Sequence, residues 1–167
     1  MKGSAFTLVE VLVVVILLGI LAAVVVPQFS TATANARASM LRDDLRIMRM
    51  QIAVFTEQHL GIPPGFPLGK IEDGASEQVF IDHMTLASNM YCQLADLGTE
   101  GYPYGPYMRE MMTNPINDMA TIRIIAANEP LPTVAAGTHG WIYCPSRPAF
   151  LSDAVGCDDT GVSYIEY

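Results

Sequence analysis

Fifteen of the sixteen residues from Val11 to Val26 are Ala, Val, Ile or Leu, with Gly19 the exception. Extended upstream to Phe6 the run reads FTLVEVLVVVILLGILAAVVV and holds one charge, Glu10. As a helix these residues span about 31 Å, close to the hydrocarbon thickness of a bilayer. Lys2 and the amino terminus precede the run, so the positive-inside rule leaves the N-terminus in the cytoplasm and sends the rest of the chain across the membrane. Beyond the run the 167-residue chain is ordinary in apolar content, which argues for one greasy element on a water-soluble body. Nine Lys and Arg stand against seventeen Asp and Glu, a net charge of −8. That balance gives no basic footprint for nucleic acid.

Two readings of the run compete. In the first it is a secretory signal, with Lys2 as the basic region and Ala32-Thr33-Ala34 or Ala34-Asn35-Ala36 as the cleavage site. Glu10 fits this badly, because a charge in lipid costs about 2.5–3.5 kcal/mol on insertion scales. The second reading gives Glu10 a purpose. Gly3-Ser4-Ala5, then Phe6-Thr7-Leu8-Val9-Glu10, a wholly apolar helix and Pro27 together resemble the prepilin leader of type IV pilins and type II secretion pseudopilins. The resemblance implies cleavage by a prepilin peptidase between Ala5 and Phe6 and N-methylation of Phe6. Glu10 then stands fifth in the mature chain, and Pro27 matches the proline that bends the family's stem helix. The family usually has Gly before the cut, where this chain has Ala5. A buried carboxylate needs a counter-charge. The new ammonium on Phe6 of a staggered neighbour would supply it and make Glu10 an assembly and register device.

Downstream, Leu41, Leu45, Met48, Ile52 and Phe55 recur at steps of 4, 3, 4 and 3, one face of an amphipathic helix. Arg42, Arg46 and Arg49 lie on another. Gly61 and Pro63-Pro64 end it, and Pro27 predicts a kink or local melting upstream. Ser76 is a candidate N-cap for a second helix, whose spacing through Met90 and Leu94 predicts an end near Gly98. Residues Gly101–Tyr107, rich in Gly, Pro and Tyr, read as a loop. TIRII (121–125), GWIYC (140–144) and VSYIEY (162–167) read as strands. The fold class is therefore α+β: a long N-terminal helix packed by a head with a second helix and a short antiparallel sheet. Its parts are a leader at 1–5, a transmembrane and polymerisation helix at 6–29, an amphipathic stem at 30–60 and a globular head at 61–167. This order is that of the resembled family, and looks most like the major pseudopilin of type II secretion.

With the head across the membrane, a disulfide is allowed by compartment. Cys144 and Cys157 flank a segment between predicted strands, and many pilins close a C-terminal loop in this way. Cys92 is left over as a small buried hydrophobe. Asp153, Asp158 and Asp159 cluster near the C-terminus. The resemblance implies calcium there, since hard oxygen ligands suit it; a solvated acidic loop is the other reading. His59, His83 and His139 show no ligand spacing and read as surface or satisfied core residues. No nucleophile, zinc, phosphate-loop or dinucleotide fingerprint is present, so the chain does not read as an enzyme. Residues 31–60 carry four Arg and three acids, whereas four basic and thirteen acidic residues follow from Gly61 on. That asymmetry suggests pairing between an arginine-bearing stem and the acidic head of a staggered copy.

The function this implies is structural: a single-pass inner-membrane precursor, its head periplasmic, that forms a helical homo-oligomer. Its partners would be the peptidase/methylase, an assembly platform and, indirectly, a cytoplasmic motor ATPase. The alternative is a membrane-tethered or secreted periplasmic binding domain whose N-terminus is only an anchor.

Overall fold

The computed structural model describes residues 7–167. The chain divides into two compact units, Met1–Ala36 and Arg37–Tyr167, and one helix, α1 (Leu8–Gln58), runs through the boundary. In the first unit the apolar side chains of α1 are exposed, Leu12, Ile16 and Ile20 among them, and the helix is long and apolar enough to cross a membrane. The expected melting at Pro27 does not occur, because the helical backbone continues through residue 27. A proline forfeits its own N–H bond, and the ladder on either side carries the helix past it.

In the second unit the face predicted from spacing is the buried one. Leu41, Leu45, Met48 and Phe55 are 0% exposed and Ile52 is 4% exposed. Leu41, Leu45, Met48 and Ile52 join Phe80, Met84, Ile122, Trp141, Tyr143 and Phe150 in the main core. Helix α2 (Glu77–Thr85) starts where expected, with the Ser76 Oγ accepting the Val79 N–H at 3.4 Å. It stops twelve residues before Leu97, and that corrects the longer helix. Leu86 is extended, and Ala87–Ser88 (β1) pair antiparallel with Leu94–Ala95 (β2). Asn89 drives this turn: its Oδ1 accepts the N–H groups of Tyr91 and Gln93, and its Nδ2 donates to Gln93 Oε1. An Asn side chain that bonds nearby backbone in this way competes directly with helix. Cys92 is buried as expected, and it lies in this turn with φ of +58°.

The larger sheet has the order β3 (Ile122–Ile124), β4 (Trp141–Cys144), β5 (Ala149–Ser152). The first two strands match the predicted ones. The β4–β5 pair is antiparallel and the β3–β4 pair parallel, so the sheet is mixed. A parallel pair needs a long return path, which the sixteen residues between β3 and β4 supply. All four residues of β4 are buried, because each face of this central strand meets its own cluster. Trp141 and Tyr143 face the main core; Ile142 and Cys144 face a second one with Ile125 and Ile165. That two-sided burial explains the absence of polar alternation in GWIYC. Gly140 enters β4 so close to the Met119 carbonyl that a Cβ would stand 2.0 Å from its oxygen.

The predicted strand at 162–167 is a correction. Tyr164–Glu166 is a short 3-10 helix, and the third strand is β5. Aromatic and β-branched enrichment does not separate the two, since Tyr164 and Ile165 are buried from a helical turn that touches both clusters. The tyrosine-rich loop packs against β1 and the end of α1. Tyr104 pairs with Ser88 through backbone bonds of 2.8 and 3.1 Å, and the Tyr107 hydroxyl donates to Gln58 Oε1 at 2.6 Å.

Leu45→Ala should cost about 2–5 kcal/mol, the range for emptying a fully buried leucine site. Urea titration of the full chain in detergent, followed by the fluorescence of the single, fully buried Trp141, measures the loss.

Candidate functional site

Ala5 and Phe6, the expected cleavage and methylation positions, lie outside the described residues. Glu10 is described, and α1 gives it a local task. Thr7 is the residue before the helix, and its N–H and Oγ1 donate to Glu10 Oε2 at 2.8 and 2.7 Å. The Glu10 N–H donates to Thr7 Oγ1 at 3.2 Å. This is a capping box, which satisfies N–H groups that a helix start leaves without partners. Its signal, Thr-x-x-Glu, stands in Thr7-Leu8-Val9-Glu10. The buried-carboxylate argument gives Glu10 only an intermolecular role; within one chain the same carboxylate closes its own helix. Glu10 also sits in the first turn, where the helix dipole favours an anion.

Of the C-terminal aspartates, Asp153 and Asp158 hold different partners. Among the described residues no three His, Cys, Asp or Glu side chains are placed to hold a metal ion. Asp153 is fully buried, and its oxygens accept the N–H groups of Ala136, Thr138 and His139 at 2.7–3.1 Å. It pins that loop. Asp158 sits elsewhere. Its Oδ1 accepts from Thr160 Oγ1 at 2.7 Å and from the N–H groups of Thr160 and Val162, and its Oδ2 accepts from the Tyr167 hydroxyl at 2.7 Å. The Arg42 guanidinium completes the set as an ion pair to Oδ2. The guanidinium also lies 4.2 Å from the centroid of the Tyr167 ring. An arginine from α1 thus supplies a positive charge to this loop. Hydrogen bonds from the Thr160 and Tyr167 hydroxyls hold the Asp158 carboxyl far below the usual carboxylate range. Burial, and donation to Asp158, push the Tyr167 hydroxyl up to about 12.

The same contacts revise the charge argument. Arg42 is committed to Asp158, and Arg49 donates to the carbonyls of Phe150 and Tyr167 at 3.0 and 2.7 Å. Both arginines tie α1 to the rest of their own unit. Arg46 stays exposed, 3.9 Å from Asp43.

The expected Cys144–Cys157 bridge is absent, and all three cysteines are free thiols. Cys144 belongs to the buried cluster beneath β4, with its Sγ 3.4 Å from Ser146 Oγ. Cys157 is exposed and backbone-paired with Ser163. Their side chains serve opposite environments, and the segment between them contains β5.

Two of the three histidines are buried together. His59 and His83, 0% and 1% exposed, both stack on Phe55 with ring centroids 3.8 and 5.0 Å away. His139 is apart, 3.9 Å from Asp153. A pocket of about 560 Å³ lies beside β3, lined by Pro63, Phe66, Ile71, Ile124, Ile125 and neighbouring small residues. No titratable side chain lines it.

Residues 1–26 match the family described as the prokaryotic N-terminal methylation motif. The chain is 35% identical over 62 residues to the type II secretion system core protein G of Pseudomonas aeruginosa, covering 37% of this chain and 44% of that protein. It is 35% identical over 63 residues to the type IV narrow pilus major component PilA5 of Thermus thermophilus, covering 38% of this chain and 54% of that protein. The chain thus matches about half the length of each relative. No solved structure matches it at comparable significance.

Two measurements check this geometry. Thiol titration without reductant should return three thiols in denaturant, and in the native chain Cys157 alone should react fast; a denatured count of one would restore the bridge. For Asp158 the folded pKa lies below the unfolded one, so its contribution is present above about pH 4 and lost as pH falls below that. Asp158→Asn should lower the urea midpoint at pH 7 and shrink the difference between the pH 7 and pH 3 midpoints.

Proposed function

We propose that this chain is a structural subunit of a filament of the type IV pilus or type II secretion pseudopilus kind. The observation that carries the reading is the methylation motif at residues 1–26, set on an exposed apolar helix with Glu10 in its first turn. The relatives' names support it. One is a core protein of a secretion system and the other a major pilus component.

The mechanism follows from solvent. The N-terminal part of α1 is stored in the inner membrane, with the N-terminus cytoplasmic and the second unit periplasmic. Cleavage between Ala5 and Phe6 exposes an amine, and methylation keeps it basic. The helix leaves lipid only into another apolar environment, because water would cost about 25 cal/mol for each Å² exposed. Copies of the same helix supply that environment. Glu10 then exchanges its bonds to Thr7 for the ammonium of an adjacent Phe6, or shares itself between them, and so sets the axial step. Nothing in this cycle asks the chain to catalyse a reaction; energy for extraction comes from other proteins.

Co-expression with a prepilin peptidase and an assembly system tests the reading. Mass spectrometry should find an N-terminal peptide beginning at methylated Phe6, and microscopy should find filaments in sheared material. Glu10→Ala should insert normally, be cleaved and leave filaments at least tenfold scarcer. Normal filament yield from Glu10→Ala, or a mature chain starting at Asn35, would overturn it in favour of a mere anchor or signal.

A further inference from the structure

The last turn of α1 and the chain that leaves it are held by two buried imidazoles. Helix α1 ends at Gln58, Leu60 and Gly61 turn with φ of +58° and +79°, and the chain folds back to Gly65. There the Gly65 N–H donates to His83 Nδ1 at 3.1 Å, and the Gly65 carbonyl accepts the Ser76 N–H at 3.0 Å. His59 Nδ1 lies 2.7 Å from the Phe55 carbonyl, and its Nε2 lies 2.9 Å from Ser88 Oγ.

These partners settle the protons. A backbone N–H only donates, so His83 Nδ1 must be the bare nitrogen, and the ring's proton sits on Nε2. That Nε2 is buried with no hydrogen-bond partner. A carbonyl only accepts, so His59 carries its proton on Nδ1 and accepts the Ser88 hydroxyl at Nε2. The two rings differ in what a second proton does. At His59 the Ser88 hydroxyl can rotate and accept. At His83 the new N–H would face the Gly65 N–H, donor against donor, and that bond cannot survive.

We propose that His83 is an acid-released latch on the segment Leu60–Phe66, closed while its imidazole is neutral and opened when Nδ1 takes a proton. Two groups around it favour the cation, the Cys92 backbone and the Asp82 carboxylate, but burial and His59 outweigh them. From α1 it faces His59, which would repel it, and the Phe55 ring. From the β1–β2 turn it faces Cys92, whose thiol burial pushes up to about 11, so it stays neutral. From the tyrosine-rich loop Tyr104 and Tyr107 pack edge-on against His59, Tyr107 raised to about 12 mainly by burial. The nearby carboxylate is Asp82 on the same helix, and its Oδ1 is taken by Gln78 Nε2 at 2.8 Å. Burial first, and His59 second, lower His83 to about 4. The sign follows. The open segment binds the proton near the ordinary histidine value of about 6.5, and the closed one near 4. The latch is therefore fully closed above about pH 6.5 and loosens progressively as pH falls from there toward 4. This window lies above the one in which Asp158 loses its charge.

Hydrogen exchange of the full chain in detergent, corrected for the intrinsic pH dependence of exchange, tests the latch. Between pH 7.5 and pH 5.0 the protection of Leu60–Phe66 should fall about 30-fold, while the amides of Trp141–Cys144 keep theirs. His83→Gln, which keeps an acceptor for the Gly65 N–H and has no proton to gain, should show no such fall. Unchanged protection of the segment, equal loss in β4, or the same fall in His83→Gln would each overturn the proposal. Should His83→Gln not fold at pH 7.5, an NMR titration of the parent chain decides. The Gly65 amide must lose protection with the midpoint at which the His83 ring titrates, and a mismatch of the two overturns it equally.

Discussion

The C-terminal half of α1 lends its Leu41–Leu45–Met48–Ile52 stripe to a core that the later elements cannot complete alone. Helix α2 has nine residues and the strands have two to four, each too short to bury a substantial face by itself. Phe80, Trp141, Tyr143 and Phe150 find their common surface on that stripe. A change on it reaches α2 and the sheet together. Among the described residues nothing covers the N-terminal half of α1 in this way, and its exposed aliphatic side chains are the reason a second solvent, lipid or other copies, enters the account.

Around this core, polar groups act as fasteners. Arg42 and Arg49 tie α1 to the C-terminal residues, Asp153 gathers the N–H groups of residues 136–139, and Glu77 Oε1 accepts the Ile122 N–H at 2.7 Å at the edge of β3. Asn114 donates to the Gly140 carbonyl and to Ser152 Oγ at 2.8 and 2.9 Å. Most of these join residues far apart in sequence. They satisfy backbone that irregular segments would otherwise bury unpaired. A loop-rich unit of this kind needs them more than a helical one does.

The legible parts of the fold are those governed by neighbours along the chain. The buried face of α1 was readable from a 3.6-residue period, the Ser76 cap from a hydroxyl ahead of an apolar repeat, and β3 and β4 from β-branched and aromatic runs. Illegibility began where two local preferences competed. Residues 86–94 keep helical spacing, yet Asn89 offers the backbone a turn that wins. Residues 162–167 carry strand composition, yet burial of Tyr164 and Ile165 in two different clusters favours a tight turn. In the candidate sites the split is the same. Thr7 and Glu10 are three residues apart and their box is written in the chain. Asp158 was visible as an acid, but its partner Arg42 stands 116 positions away.

Sequence alone determined that the chain has an apolar helix of membrane-spanning length with one carboxylate in its first turn, followed by an amphipathic continuation. Periodicity and transfer free energy are properties of a contiguous segment and need no fold to act. Only the tertiary structure decided that an arginine answers Asp158, that Cys144 and Cys157 serve different environments, and that His59 and His83 share Phe55. Each of these depends on which distant side chain arrives within a few ångströms, and that is set by how the core packs.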